Sequence, residues 1–313
     1  MPNHHTGRGP SGGPRIGLCP SSPTRHSTTV VTVTSVKSLL ARLSLRGPHR
    51  VQRGNLALAG QPGVVYTPAE GFGLPAVAFG HGWLAGAANY AQLLDYLASW
   101  GIVAAAPDTE RGPVPSHTGL ATDLCTTLDI CTKIRLGTGS ISVHPEKLAL
   151  AGHGMGAGAA VLAAGRRPDV QAVGALFPAP TAPPAESVAA GLKIPALILA
   201  APGELGGLES NAAALNQAWQ GPTVLRTIDK SSSNGIVEGR RTLALLGFGR
   251  SEPRTARTTR ALLAGFLLGS IAGDPEYRPF LDPAATIPRT AVPSATPPDP
   301  AASAAVPGHA AAG

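Results

Sequence analysis

The chain has 313 residues, 43 % of them hydrophobic and only 4 % aromatic, which is enough to bury a full core in one α/β domain; no internal repeat at solenoid or propeller spacing is present. The net charge of +7 is unevenly placed. Residues 1–53 hold eight of the 25 Lys and Arg and no Asp or Glu, which leaves seventeen basic against eighteen acidic residues in the remainder. A specific nucleic-acid surface on the folded domain is therefore not expected, and the basicity is assigned to the N-terminal segment.

Residues 1–34 are rich in Gly, Pro, Ser and Thr and lack apolar periodicity, so a disordered basic tail is predicted there. They also lack a continuous apolar core segment, so no signal peptide is expected and a cytoplasmic location is inferred. Ser35 to Leu43 reads as a short amphipathic helix with Val36, Leu39, Leu40 and Leu43 on one side, packed on the domain. Gly63–Tyr66 and Ala76–Phe79 read as strands, the second running into Gly80-His81-Gly82-Trp83. Ala88–Trp100 is helical, with Gly101 as its stop signal. Ile102–Ala106 is a strand, Ser116–Ile134 a helix, Lys147–Ala151 a strand and Gly156–Arg166 a helix of small residues. Strands then follow at Gln171–Leu176, Pro195–Ala200 and Thr223–Asp229, with helices at Ala212–Trp219 and Arg254–Gly273. The longest apolar run, Ala261–Gly273, is too short to span a bilayer, so no membrane span is expected. Residues 290–313 are almost pure Ala, Pro, Ser and Thr and are predicted to be a second disordered tail, leaving 35–289 as the folded domain.

Strands alternating with helices imply a mostly parallel sheet covered on both faces, with sites at the carboxyl ends of its strands. The three cysteines make no disulfide framework: Cys19 is in the tail, and Cys125 and Cys131 lie six apart on different faces of one helix.

The most specific feature is Ala151-Gly152-His153-Gly154-Met155-Gly156 at a strand-to-helix turn. Its template is G-x-S-x-G, in which a tight turn holds a serine hydroxyl above a sheet. Gly152 and Gly156 fill the flanking positions, and Gly154 stands where the serine should be, so no acyl-enzyme can form there. A dinucleotide fingerprint is the alternative for G-x-G-x-G. Against it, this is not the domain's first strand-to-helix turn, the spacing departs from G-x-G-x-x-G, and no acidic residue ends the next strand, so no cofactor is expected.

Gly152-His153-Gly154-Met155-Gly156 resembles the elbow of the dienelactone hydrolase and cutinase-like polyester hydrolase group of α/β hydrolases. The stretch from Gly82-Trp83 through Leu97-Ala98-Ser99-Trp100-Gly101, the turn Pro107-Asp108-Thr109 and the segment Ala272-Gly273-Asp274-Pro275-Glu276-Tyr277 are similar too, over roughly residues 55–283. The resemblance implies an α/β-hydrolase fold without a large lid. It also implies an oxyanion hole from the backbone N–H groups of Met155 and Trp83, flanked by His81 and His153, and a triad acid at Glu204. The histidine position falls at or near Ser233; no histidine occurs between His153 and His309, so the general base is missing as well. His81, His153 and His117 near one site raise a metal, but His153 matches a common non-catalytic elbow position and His81 lies in the oxyanion loop, so none is expected.

Two losses at separated positions point to a catalytically degenerate protein of this fold that binds a partner, or a small apolar ligand with a carbonyl or carboxylate end, through the former pocket. The alternative is a carboxylic-ester hydrolase with a displaced triad. Neither reading fixes an oligomeric state.

Overall fold

The computed structural model describes residues 35–205, 207–239 and 251–293. The tail predicted at 1–34, with Cys19, and residues 294–313 of the tail predicted at 290–313 lie outside the described residues.

Among the described residues, nine strands form one sheet: β1 (Val51–Asn55), β2 (Gly63–Pro68), β3 (Gly71–Gly80), β4 (Val103–Pro107), β5 (Ile141–His153), β6 (Val170–Leu176), β7 (Ala196–Ala200), β8 (Thr223–Ile228) and β9 (Thr290–Ala291). Their spatial order is β1-β2-β4-β3-β5-β6-β7-β8-β9. The six strands from β3 to β8 are parallel, while β1, β2 and β9 pair antiparallel at the two edges.

Among the described residues, seven α-helices accompany the sheet: α1 (Val36–Leu43), α2 (Ala91–Ser99), α3 (His117–Lys133), α4 (Met155–Ala164), α5 (Ala185–Ala189), α6 (Ala212–Ala218) and α7 (Pro253–Ser270). The side-chain period of two sorts each buried strand between two cores. Ala149, Ala151, Leu197 and Leu199 face a layer made with α1, α2 and α7. Leu148, Leu150, Ile198 and Ala200 face a layer made with α3, α4, α5 and α6. Because both faces are covered, the central strands read as apolar runs rather than alternations.

The expected elements are found with small shifts at their ends. Ser35 caps α1, its hydroxyl accepting the Ser38 N–H, and Leu39, Leu40 and Leu43 are buried against the core. Five elements depart from the sequence reading: α5 has no counterpart there, β3 begins five residues before Ala76, and β1, β5 and β9 differ as follows. β1 is a polar edge strand with only its first residue partly covered, so it carries no hydrophobic signal. β5 begins six residues earlier than expected, through Ser, His, Pro and Glu, and Gly71 pairs with Ile141 across a shift in register. Thr290 and Ala291, placed in the C-terminal tail by composition, pair with Ile228 and Thr227 as β9.

The basic residues ahead of residue 54 are also not all tail. Arg42 donates to the carboxylate of Glu276 at 2.5 Å and to the Tyr277 hydroxyl at 2.6 Å, and Arg46 pairs with Asp95. The expectation that the whole basic segment lies apart from the domain is corrected to that extent. No described helix is long and apolar enough to cross a membrane.

Candidate functional site

The strand-to-helix turn after β5 is set by three glycines that permit unusually close backbone approach. A Cβ on Gly152 would lie 2.1 Å from the Gly156 carbonyl oxygen, and one on Gly156 would lie 2.3 Å from the Gly80 oxygen. One on Gly80 would lie 2.8 Å from the Gly156 oxygen. These contacts are to backbone, so no side-chain movement relieves them. They fix the ends of β3 and β5 against the first turn of α4.

Gly154 is different. Its φ of 56° and ψ of −121° match the first central position of a type II′ turn, a conformation that glycine takes without strain. A Cβ there would meet nothing closer than the Gly82 Cα at 3.8 Å, so there is room for a side chain. The Gly154 N–H donates to the Leu176 carbonyl at 3.1 Å, and its carbonyl accepts from Ala157 at 3.1 Å and Ala179 at 3.2 Å. The turn is thus anchored to the end of β6 with no side chain at its apex.

Other backbone strain gathers at the same edge of the sheet. Among the described residues, Leu84, Glu110, Phe177, Lys230 and Arg289 are the non-glycine positions with φ between 45° and 65°. The first four follow the carboxyl ends of β3, β4, β6 and β8. Left-handed backbone outside glycine persists only where surrounding structure holds it, and it concentrates at binding and catalytic edges.

A cleft of about 700 Å³ opens above Gly154. Gly82, Met155, His153 and Phe177 lie around its base, and Trp83, Pro113, Val114, Pro115, Ala179 and Pro180 form apolar walls. Glu204, Glu209, Ser210, Ser233, Asn234 and His117 supply its polar side. The Trp83 indole N–H donates to the Pro113 carbonyl at 3.0 Å, which holds the ring at the mouth with 45 % of its surface exposed. Met155 is the first residue of α4, so its backbone N–H has no acceptor within the helix.

The residues singled out from sequence fall into three groups. Gly154, Met155, Trp83, Glu204, Ser233 and His153 all line the one cleft, and His117 joins them. His81 does not: it is fully buried, with ring nitrogens 3.0 and 2.6 Å from the carbonyls of Gly82 and Thr109. Its place among the ligand-contacting residues is corrected to a tie between the loops after β3 and β4. Cys125 and Cys131 are free thiols on α3, and burial pushes the Cys131 thiol up to about 12, so it stays protonated and unreactive. Among the described residues, no three His, Cys, Asp or Glu side chains gather to hold a metal, and His117 is engaged separately, its Nδ1 accepting the Ala182 N–H at 3.1 Å.

A connected set of hydrogen bonds crosses the site. His153 Nε2 lies 2.8 Å from the Ser233 carbonyl, which can only accept, so Nε2 carries the proton. In the neutral ring Nδ1 then accepts from the Tyr90 hydroxyl at 2.7 Å, whose oxygen accepts the Gly82 N–H at 3.0 Å. On the other side, the Ser233 N–H donates to Glu204 Oε1 at 3.1 Å. The carboxylate therefore rests on the main chain of residue 233, the position where the sequence pattern calls for a histidine side chain. His153, next to Gly154 in the chain, has both nitrogens engaged in holding the β3 loop and the 233 segment together.

Sequence reasoning did not find this bridging role of His153, nor Tyr90, Phe177 and Glu209. Tyr90 and Phe177 are both buried aromatics: Tyr90 meets the site through its hydroxyl, on His153 and Gly82, and Phe177 lines the cleft with its ring edge to His153 at 6.1 Å between centroids. No family model matches the chain, and no curated protein matches it.

Proposed function

We propose that this chain is a catalytically degenerate protein of the α/β-hydrolase type that binds a small apolar molecule in the cleft above Gly154. The observation that carries this reading is the set of contacts at residue 233: Glu204 sits on the Ser233 N–H, and the apex of the turn at Gly154 has no side chain. Acyl transfer needs a nucleophile, a base to take its proton and a group to orient the base. Here only the carboxylate remains. The backbone donors expected for an oxyanion, Met155 and Trp83, flank the cleft, so a carbonyl oxygen of a ligand could still be received there. The sheet order, with antiparallel strands at both edges of a parallel centre and the sharp glycine turn after β5, supports the same reading.

The variants Gly154→Ser, Ser233→His and the two together test it, with a short-chain p-nitrophenyl ester as substrate. Gly154→Ser alone is expected to stay near the background rate, because His153 is committed at both nitrogens. The double variant places an imidazole next to Glu204 and is expected to exceed Gly154→Ser by about 10²-fold or more, the usual contribution of a positioned base. Rapid turnover by Gly154→Ser alone would overturn the reading, since it would show a working base already in place.

A further inference from the structure

The charge of the cleft points away from the carboxylate ligand that the resemblance suggested. Glu204 and Glu209 line it, and no lysine or arginine is among its described lining residues. Neither carboxylate belongs to an ion pair among the described residues. In an intact triad a histidine would stand over the acid and share its charge; here Glu204 has one backbone N–H instead. A half-buried carboxylate beside apolar walls is incompletely solvated, and an opposite charge brought within a few ångströms is attracted more strongly than in bulk water. The same field repels an anion entering the cleft. The mouth adds a second element of recognition. Trp83 donates to the Pro113 carbonyl and is 45 % exposed, and an indole surface at the cleft suits a cation resting on it. Met155, Phe177 and Val114 offer the complementary surface for an apolar body.

From this we infer that the cleft binds an apolar organic cation, an alkylammonium or arylalkylammonium compound, with its charged end toward Glu204 and Glu209. The inference rests on the reading of the cleft as a ligand site and specifies which chemistry fills it. The cation is held on the polar side, and its apolar body covers Gly154, so the absence of a hydroxyl there removes a polar group that the body would otherwise desolvate.

The test uses the full-length protein and three probes on one skeleton: 4-phenylbutyltrimethylammonium, 4-phenylbutanol and 4-phenylbutyrate, titrated calorimetrically at pH 7 and at low salt. The expected order is ammonium tighter than alcohol by about tenfold, and carboxylate weakest. Glu204→Gln keeps an acceptor for the Ser233 N–H and is expected to narrow the preference for the ammonium over the alcohol. Glu209→Gln is expected to do the same to a smaller degree, because that residue is exposed. Raising the salt to 1 M should shrink the ammonium preference, and Ala179→Trp, which fills the cleft, should abolish binding of all three. If the carboxylate binds as tightly as the ammonium, or if neither glutamine variant narrows the gap, the inference fails while the ligand-binding reading stands. If none of the three probes binds, both fail.

Discussion

At the scale of single residues, the glycines of the turn after β5 do unlike work, and stability measurements separate them. Gly152 and Gly156 are demanded by contact: a methyl group on either would sit within 2.3 Å of a backbone oxygen. Gly154 is demanded by conformation alone, since a Cβ there meets only the Gly82 Cα, at an ordinary contact distance of 3.8 Å. Gly156→Ala is therefore expected to cost about 3 kcal/mol, the upper end for overpacking. Gly154→Ala is expected to cost about 1–2 kcal/mol for the strained backbone. Urea denaturation midpoints check the order; an equal or larger loss at Gly154 would contradict it. The same comparison says something about the missing serine. Under the proposed reading, a serine at this apex would carry conformational strain that glycine avoids. The turn and its chemistry are separable. That separation was legible in the sequence, because the flanking glycines declared the turn while the central one denied the hydroxyl. What could not be read there was His153. Whether an imidazole beside the apex is free or committed depends on Tyr90 and Ser233, which are 63 and 80 residues away along the chain.

At the scale of elements, the segment after β8 is tied back to the start of α2. The Glu238 carboxylate accepts the Gln92 N–H at 3.0 Å, and its backbone exchanges hydrogen bonds with Asn89 at 2.9 and 2.6 Å. Glu238 thus caps α2 from far along the chain, and Tyr90, the residue before that helix, holds His153. Burial raises the Glu238 carboxyl from its ordinary 4.5 to about 7, against the backbone donors of Gln92 and Leu93 and the Arg260 charge, which favour ionisation. A raised carboxyl pKa means that the unfolded chain releases its proton first as pH increases. Stability from this group is therefore fully present below about pH 4.5 and is lost as pH rises toward 7. The difference in unfolding free energy between the wild type and Glu238→Gln should fall across that window and level off above it. A difference that rises with pH would contradict the assignment. Elements of this kind, joined by polar side chains on loops, are where sequence reading failed. β1 and the first half of β5 are polar or broken by proline, and β9 lies in an Ala/Thr stretch whose composition resembles a tail; pairing, rather than hydrophobic pattern, makes them strands. The central strands were legible as short apolar runs and α4 as a run of small residues buried on every side, while α1, α2, α3 and α7 each bury an apolar face of helical period.

At the scale of the whole molecule, the proposed reading is of a domain that keeps the parts that shape a pocket without the triad that would move a proton. Two separate cores hold the sheet rigid from both faces, and the strand ends converge on one cleft. Three contacts, from Gly82 to Tyr90, from Tyr90 to His153 and from His153 to Ser233, close the ring of loops around it. Preorganisation of this kind serves binding as well as it serves catalysis. Glu204, left on a main-chain N–H, gives the cleft a negative charge that a working triad would have shared. The most direct test of the central claim is labelling of the purified wild-type protein by a fluorophosphonate, which reacts only with an activated serine. The account predicts no labelling above that of the heat-denatured protein; stoichiometric labelling, with the adduct mapped to a serine lining the cleft, would contradict it.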